Sequence, residues 1–297
     1  MAASVAGHRR AFGADIVPGV YDDIESADLV VLVGSNLAWC HPVIFQRLAQ
    51  ARDSRGGRPF VVNIDPRRTA TSEIADLHLG IEPGADVALF LGLLRSLTRS
   101  QTLDRRFIAD NTRDFDAALS AAAHWTPGAV ARRCGLALAD VEHFYALFAR
   151  TQKTVTLYSQ GVNQSSAGVD KVNAIINCHL ATGRIGKPGC GPFSVTGQPN
   201  AMGGREVGGL ANMLAAHMEI ERAEDRERVR RFWQAPVIAT RPGLKAVDLF
   251  RAVADGWIRA LWIMATNPVD SLPEAGLVGD KAALIEVDHA DPQARLV

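Results

Sequence analysis

Short, wholly apolar runs alternate along this chain with longer stretches in which apolar residues recur at helical spacing. Leu29–Val33 is a continuous β-branched and leucine run, and Phe60–Ile64 is a second one broken only by Asn63. Runs of this length and kind read as strands covered on both faces, because a half-exposed strand would alternate with polar residues. Between them Pro42–Asp53 has the spacing of a helix, with proline near the first helical position. Strand, helix and strand in that order predict a parallel sheet, since parallel neighbours need a crossover.

The same reading extends along the chain. Residues through Pro18 show no period and are expected to be loop. Asp76–Ile81 forms a short third strand. Gly84-Ala85-Asp86 opens a helix to about Ser100 that is apolar round most of its surface and therefore buried. Further helices are expected over Arg105–Asn111, Phe115–Ala123 and Ala139–Arg150, and Thr126 caps a turn that begins with Pro127. Thr154–Tyr158 is a strand, and Val169–Thr182 is a helix closed by Gly183. The glycine-rich run from Gly186 to Gly209 is read as one long loop. Met218–Gln234 is a solvated, charged helical stretch, Lys245–Asp255 an amphipathic helix, and Ala260–Met264 and Ala283–Val287 strands. The fold class expected is α/β, with two Rossmann-like domains and mainly parallel sheets. A length of 297 residues suits two domains, residues 1–150 and residues 151–297.

Composition narrows the function. Lys plus Arg and Asp plus Glu both number 32, so the chain has no net charge to draw it towards nucleic acid or a membrane surface. Its longest apolar runs, such as Val87–Leu94, fall far short of a membrane span, and its first residues lack the apolar centre of a signal peptide. The four cysteines, Cys40, Cys134, Cys178 and Cys190, form no C-x-x-C pair. That argues against an iron–sulfur cluster or structural zinc held within the chain and fits a reducing, cytoplasmic setting. No H-E-x-x-H, G-x-S-x-G, G-x-G-x-x-G or G-K-[ST] occurs, so a zinc hydrolase, an esterase, a standard dinucleotide fold and a P-loop ATPase are not signalled.

Polar groups gather where the strands end: Gly34-Ser35-Asn36, Asp65-Pro66-Arg67, Gln160-Gly161 with Gln164, and Thr266-Asn267. Open α/β sheets bind ligands beyond the carboxyl ends of their strands. The same residues also terminate strands for steric reasons alone. Two halves with this feature imply two nucleotide-like ligands, or one large ligand between them. Thr196–Gly209 adds T-G-Q-P-N-A-M-G-G-R-E-V-G-G. Its glycines would let backbone N–H groups approach a ligand, Gln198 and Asn200 can donate and accept, and Arg205 is a planar cation suited to an oxyanion. A mobile surface loop is the plain alternative.

G-S-N-L-A-W-C-H-P-V, N-I-D-P-R-R-T, E-P-G-A-D-V-A-L, Y-S-Q-G-V-N-Q-S, the Thr196–Gly209 motif and M-A-T-N-P occur here in one order. Together they resemble the large molybdopterin oxidoreductases of the dimethyl-sulfoxide-reductase type, over about residues 1–275. Within that group the likeness is greatest to the assimilatory nitrate reductase catalytic subunits. The resemblance implies molybdenum held between two molybdopterin guanine dinucleotides, one bound by each α/β domain. Gly34, Ser35 and Asn36, with Asn63, Asp65 and Arg67, would hold one guanosine diphosphate arm, and Gly84, Ala85 and Asp86 would close over it. Gln160, Gly161 and Gln164 would lie against the pterins, with Gln198 as a further cofactor contact and Asn267 at the second guanosine end. Arg205, beside the metal where a planar anion docks, and Gln164 are the implied catalytic residues.

The implied reaction reduces nitrate to nitrite by oxygen-atom transfer, with electrons from a ferredoxin, a flavodoxin or an NADH-linked reductase. In that family the molybdenum-ligating cysteine immediately precedes a Met–small–Ser–x–Val–Ala–Gly–His run, and here that run begins at Met1. No metal ligand is therefore expected within the chain. The [4Fe–4S] segment is expected upstream and a pterin-capping domain downstream, so this central portion would not turn over nitrate alone. Formate dehydrogenase or another oxidoreductase of the superfamily is the nearest alternative, and a non-catalytic scaffold subunit is another.

Overall fold

The computed structural model describes residues 2–197, 201–264, 266–272 and 276. The chain divides into two compact units, residues 1–199 and 200–297.

The first unit begins with helices α1 (Ala2–Phe12) and α2 (Tyr21–Ser26). Strand β1 (Leu29–Val33) leads through a single turn, α3 (Leu37–Cys40), into α4 (Pro42–Ser54) and β2 (Phe60–Ile64). Strand β3 (Leu77–Leu79) precedes α5 (Asp86–Arg99), followed by α6 (Arg105–Asn111), α7 (Phe115–Ala122), α8 (Pro127–Cys134) and α9 (Leu138–Arg150). Then come β4 (Thr154–Tyr158), the short α10 (Gln160–Asn163), α11 (Gly168–Ala181) and β5 (Gly191–Ser194). The five strands form one sheet in the order β3-β2-β1-β4-β5, and every pairing is parallel.

The continuous apolar runs have a direct cause. Leu29, Val31, Val33, Val62 and Ile64 face a core built with α5, α8, α9 and α11. Val30, Leu32, Val61, Val155 and Leu157 face a second core with α2, α3 and α4. Helices cover both faces, so successive side chains are buried whichever way they point. The α/β class and parallel sheet expected from sequence are present, and β1 to β4 occupy the expected stretches.

Three expectations need correction. The opening residues are a helix, not loop. Helix α1 docks through Ala3, Ser4, Gly7 and His8, all buried, a face too small and polar to register as an apolar period. A methyl on Gly7 would stand 2.5 Å from Cγ1 of Val172 in α11, so only a bare backbone lets the two helices meet. The face is held by hydrogen bonds: the Ser4 hydroxyl donates to the Asn163 side chain and shares a bond with Ser194 at 2.7 Å, and His8 Nε2 lies 2.6 Å from the Tyr158 hydroxyl. Second, the run from Gly186 to Gly209 is not one loop. It contains β5, hidden by its Gly-Pro start, and α12 (Ala201–Glu206). Pro192 cannot donate to a ladder, which suits the edge position that β5 occupies. Third, the chain was expected to divide at residue 150. Strand β4 pairs with β1 over Leu29↔Thr154 to Val33↔Tyr158, so that division would cut through a single sheet.

The second unit contains α12, then α13 (Ala223–Trp233), α14 (Ala246–Ala254) and the one-turn α15 (Pro268–Ser271). Among its described residues there is no strand: Ile263 makes only a single bridge where Ala260–Met264 was expected to be one. The strand expected at Ala283–Val287 lies outside the described residues. No helix among the described residues is long and apolar enough to cross a membrane.

His179 in α11 is fully buried, with Nε2 2.8 Å from the Thr156 hydroxyl and its ring edge-on to Phe148. Burial, and then the neighbouring Arg184 cation, push its pKa down to about 3. The folded state thus keeps a neutral ring while the unfolded chain takes up a proton near the ordinary value of about 6.5. Stability is fully present above that value and is lost as pH falls from there towards 3. The His179→Gln variant lacks this penalty. The gap in unfolding free energy between parent and variant, measured in urea, should therefore narrow by about 1 kcal/mol from pH 6 to pH 5. A constant gap would contradict a neutral buried ring.

Candidate functional site

Beyond the carboxyl ends of β1 to β4 lies a cleft of about 440 Å³. Its position follows from strand order. The chain leaves β1 to add β2 and β3 on one side and returns to add β4 and β5 on the other, so the connections diverge at the end of β1. Such a divergence opens a crevice in a doubly wound sheet.

Each strand contributes a different chemistry. After β1, Gly34 has φ 53°, and its N–H donates to the Ile64 carbonyl at 2.9 Å. Its carbonyl accepts from the Gly161 N–H at 2.9 Å. A methyl on either glycine would stand 2.6 Å from the other's Cα, so the backbones after β1 and β4 touch directly. Asn36 caps α3 and accepts from the Thr71 hydroxyl at 3.2 Å. After β2, Asp65 accepts from the Arg67 N–H at 2.9 Å, which folds the turn back. The Asp65 carboxylate is buried at 9% exposure, whereas the Arg67 side chain, whose Nε lies 3.9 Å from it, is 72% exposed at the cleft rim.

From the β3 side come Glu82, Pro83, Gly84 and Asp86. From the β4 side come Ser159, Gln160, Gly161 and Gln164. Ser159 Oγ and Gln160 Oε1 are buried and have no protein partner, so both can still hydrogen-bond to something in the cleft. The arrangement offers amides, a carboxylate and a cation around a nucleotide-sized space, with glycines where a side chain would intrude, since ligand clefts span about 300–1,000 Å³.

Molybdopterin oxidoreductase, as a family model, matches residues 2–289. The chain belongs to the molybdopterin oxidoreductase family. It is 54% identical over 284 residues to a nitrate reductase of Klebsiella oxytoca, covering 95% of this chain and 32% of that protein. It is 32% identical over 284 residues to the assimilatory nitrate reductase catalytic subunit of Bacillus subtilis, covering 94% of this chain and 39% of that one. The chain thus spans about a third of the length of the curated relatives it matches. The solved acetylene hydratase from Pelobacter acetylenicus shares the fold over 60% of this chain and 23% of its own, at a TM-score of 0.51 and 23% identity.

In this member of the family the cleft gathers nine of the residues singled out in the sequence: Gly34, Asn36, Asp65, Arg67, Gly84, Asp86, Gln160, Gly161 and Gln164. Three others stand behind its wall. Asn63 is fully buried, with Nδ2 bonded to Ser72 at 2.9 Å and 3.2 Å from His78 Nδ1, so it braces β2 against its neighbours. Ser35 is buried, and Ala85 caps α5. Gln198 lies outside the described residues. Arg205 and Asn267 belong to the second unit. Arg205 is 5% exposed in α12, and Asn267 caps α15, accepting from the Val269 N–H at 3.1 Å and donating to Asp270 at 2.8 Å.

Sequence reasoning missed Lys171, whose ammonium borders the cleft 2.7 Å from the Asp86 carboxylate. Lys171 is the single lysine of α11, next to Asp170, and its sequence context does not mark it as facing the cleft. Cys40, Ser159 and Glu82 also line the cleft; all three sit inside the quoted motifs, but none was assigned a ligand contact.

Backbone contact between two glycines leaves no room for adjustment. Gly161→Ala should destabilise the chain by about 1–3 kcal/mol through overpacking. Gly80→Ala, whose methyl would meet nothing closer than 3.8 Å, should stay within about 0.5 kcal/mol of the parent. Equal urea midpoints for the two variants would contradict the contact.

Proposed function

We propose that this chain acts as part of a nitrate reductase and that its first unit holds a guanosine diphosphate arm of the molybdenum cofactor. The observation that carries the reading is the meeting of nine residues from four separate strand-end segments in one cleft. The residues suit the group. The Gly34–Gly161 contact keeps side chains out of the cleft where β1 and β4 end. Ser159 and Gln160 keep buried oxygens without partners. Asp65 and Arg67 present a carboxylate and a cation side by side, matched to the donor edge of a guanine and to a diphosphate. The pterin arm, when bound, supplies with its metal the two-electron oxygen-atom transfer from nitrate.

The roles of this chain's own residues are binding and orientation. Asp65, Asn36 and Arg67 hold the nucleotide end, Gly84 and Asp86 close the wall over it, and Gln160 and Gln164 hydrogen-bond towards the pterin. Arg205 and Gln164 are assigned to the substrate: a planar guanidinium matches a flat trigonal oxyanion through paired N–H donors. Gln198 and Asn267 complete the assignment as further cofactor contacts, Asn267 at a second guanosine arm. The names of the relatives support nitrate as the substrate. A cytoplasmic setting and a ferredoxin, flavodoxin or NADH-linked donor go with the assimilatory reading. A [4Fe–4S] cluster belongs to the part of the enzyme that carries electrons in.

Two measurements test this. Calorimetric titration of the chain should detect guanosine diphosphate and find adenosine diphosphate at least about tenfold weaker, a gap of about 1.4 kcal/mol. Equal affinities, or no heat with either at millimolar nucleotide, would sink the nucleotide assignment. In the full-length enzyme Arg205→Ala should raise the nitrate KM about 10- to 100-fold, as expected for losing a charged hydrogen bond of about 1.5–3 kcal/mol, with cofactor still bound. Loss of cofactor with normal kinetics in the loaded fraction would refute the role of Arg205.

A further inference from the structure

We propose that the buried Lys171–Asp86 pair is a positioning device for the cleft: it fixes the spacing between the β3–α5 wall and the β4–α10 wall. The inference rests on the nucleotide reading above for the identity of the ligand, but not for the geometry. Lys171 and Asp86 are 3% and 6% exposed. The Lys171 ammonium reaches Asp86 Oδ2 at 2.7 Å and the Gly161 carbonyl at 3.1 Å. Asp86 is the first residue of α5, directly after the wall residues Glu82 and Gly84. Gly161 in turn donates to the Gly34 carbonyl at 2.9 Å. One ammonium therefore links the end of β3 to the end of β4, and through the glycine contact to the end of β1.

Stability alone does not account for the pair. Taking both charges out of water is costly, and well-packed apolar residues of similar volume usually do as well or better. The device has a geometric use that apolar residues lack. A hydrogen-bonded ammonium holds a carboxylate and a carbonyl at defined distances and angles, whereas methyl groups allow the two walls to slide. Lys171 is thus a positioning residue, acting on a ligand through Gly161 and the wall that Asp86 anchors.

The test separates fold from site. Lys171→Met alone strands a buried carboxylate and should lower the thermal midpoint, which by itself does not distinguish the two. The double variant Asp86→Leu/Lys171→Met removes both charges and should recover the parent midpoint. Two readouts then decide. Amide hydrogen exchange over residues 82–86 and 159–164 should quicken together, and affinity for guanosine diphosphate should fall about tenfold or more. Parent-like exchange in either segment, or unchanged affinity in a parent that binds the nucleotide, overturns the proposal. If the parent itself binds no guanosine diphosphate, the nucleotide reading fails and exchange alone decides: faster in both walls supports the device, unchanged overturns it. Should the double variant not fold, Lys171→Arg keeps the charge but changes its reach, and the same exchange criterion applies to it.

Discussion

Strand β1 sets the terms for the rest of the first unit. It pairs in parallel on both sides without a register break, so its five residues are matched by β2 on one flank and β4 on the other. Both its faces are covered by apolar side chains. Every backbone polar group of the strand must therefore be satisfied by its two neighbours, because no water reaches it. With both neighbours locked to β1, their carboxyl ends finish level with its own. That alignment brings Gly34, Ile64 and Ser159 to one edge and makes a crevice there unavoidable. The glycine pair belongs to this edge: where the chains leave β1 and β4, Gly34 and Gly161 come so close that a methyl on either would stand 2.6 Å from the other's Cα.

The interior on the α1 side is held differently from the rest. Most of the unit packs leucine, valine and phenylalanine against the sheet, but α1 docks through Ser4 and His8 onto Ser194, Asn163 and Tyr158. Buried polar contacts cost more to leave unmade than they contribute when made. They therefore specify one position for the helix more sharply than a greasy face would. The Tyr158 hydroxyl, raised well above its ordinary pKa by burial, stays protonated and can serve His8 as a hydrogen-bond partner throughout the physiological range.

Much of the candidate site was legible because strand ends have a narrow vocabulary. Gly34, Asp65, Gly84 and Gly161 stand where a strand must stop, and in a parallel sheet all such stops lie at one edge. Lys171 was not legible, since nothing in V-D-K-V says whether a lysine on a first helical turn faces water or a carboxylate 85 residues earlier in the chain. Asn63 shows the same limit. It sits among motif residues, and its position inside β2 turns its amide nitrogen towards Ser72 and His78. The direction of a side chain on a strand depends on register, which the motif does not carry.

By itself the sequence determined the elements that local physics controls. These are the apolar runs that cannot be exposed, the helices whose periods and caps are self-contained, and the glycines and acids that end strands. Only the tertiary structure decided that β4 joins β1 in one sheet, that α1 is a helix with a polar inner face, that β5 is an edge strand beginning Gly-Pro, and that Lys171 meets Asp86. Each of these depends on partners far away in the chain. A polar or small residue is silent about its fate until the group that will satisfy its hydrogen bonds, or fill the space beside it, has been brought within reach.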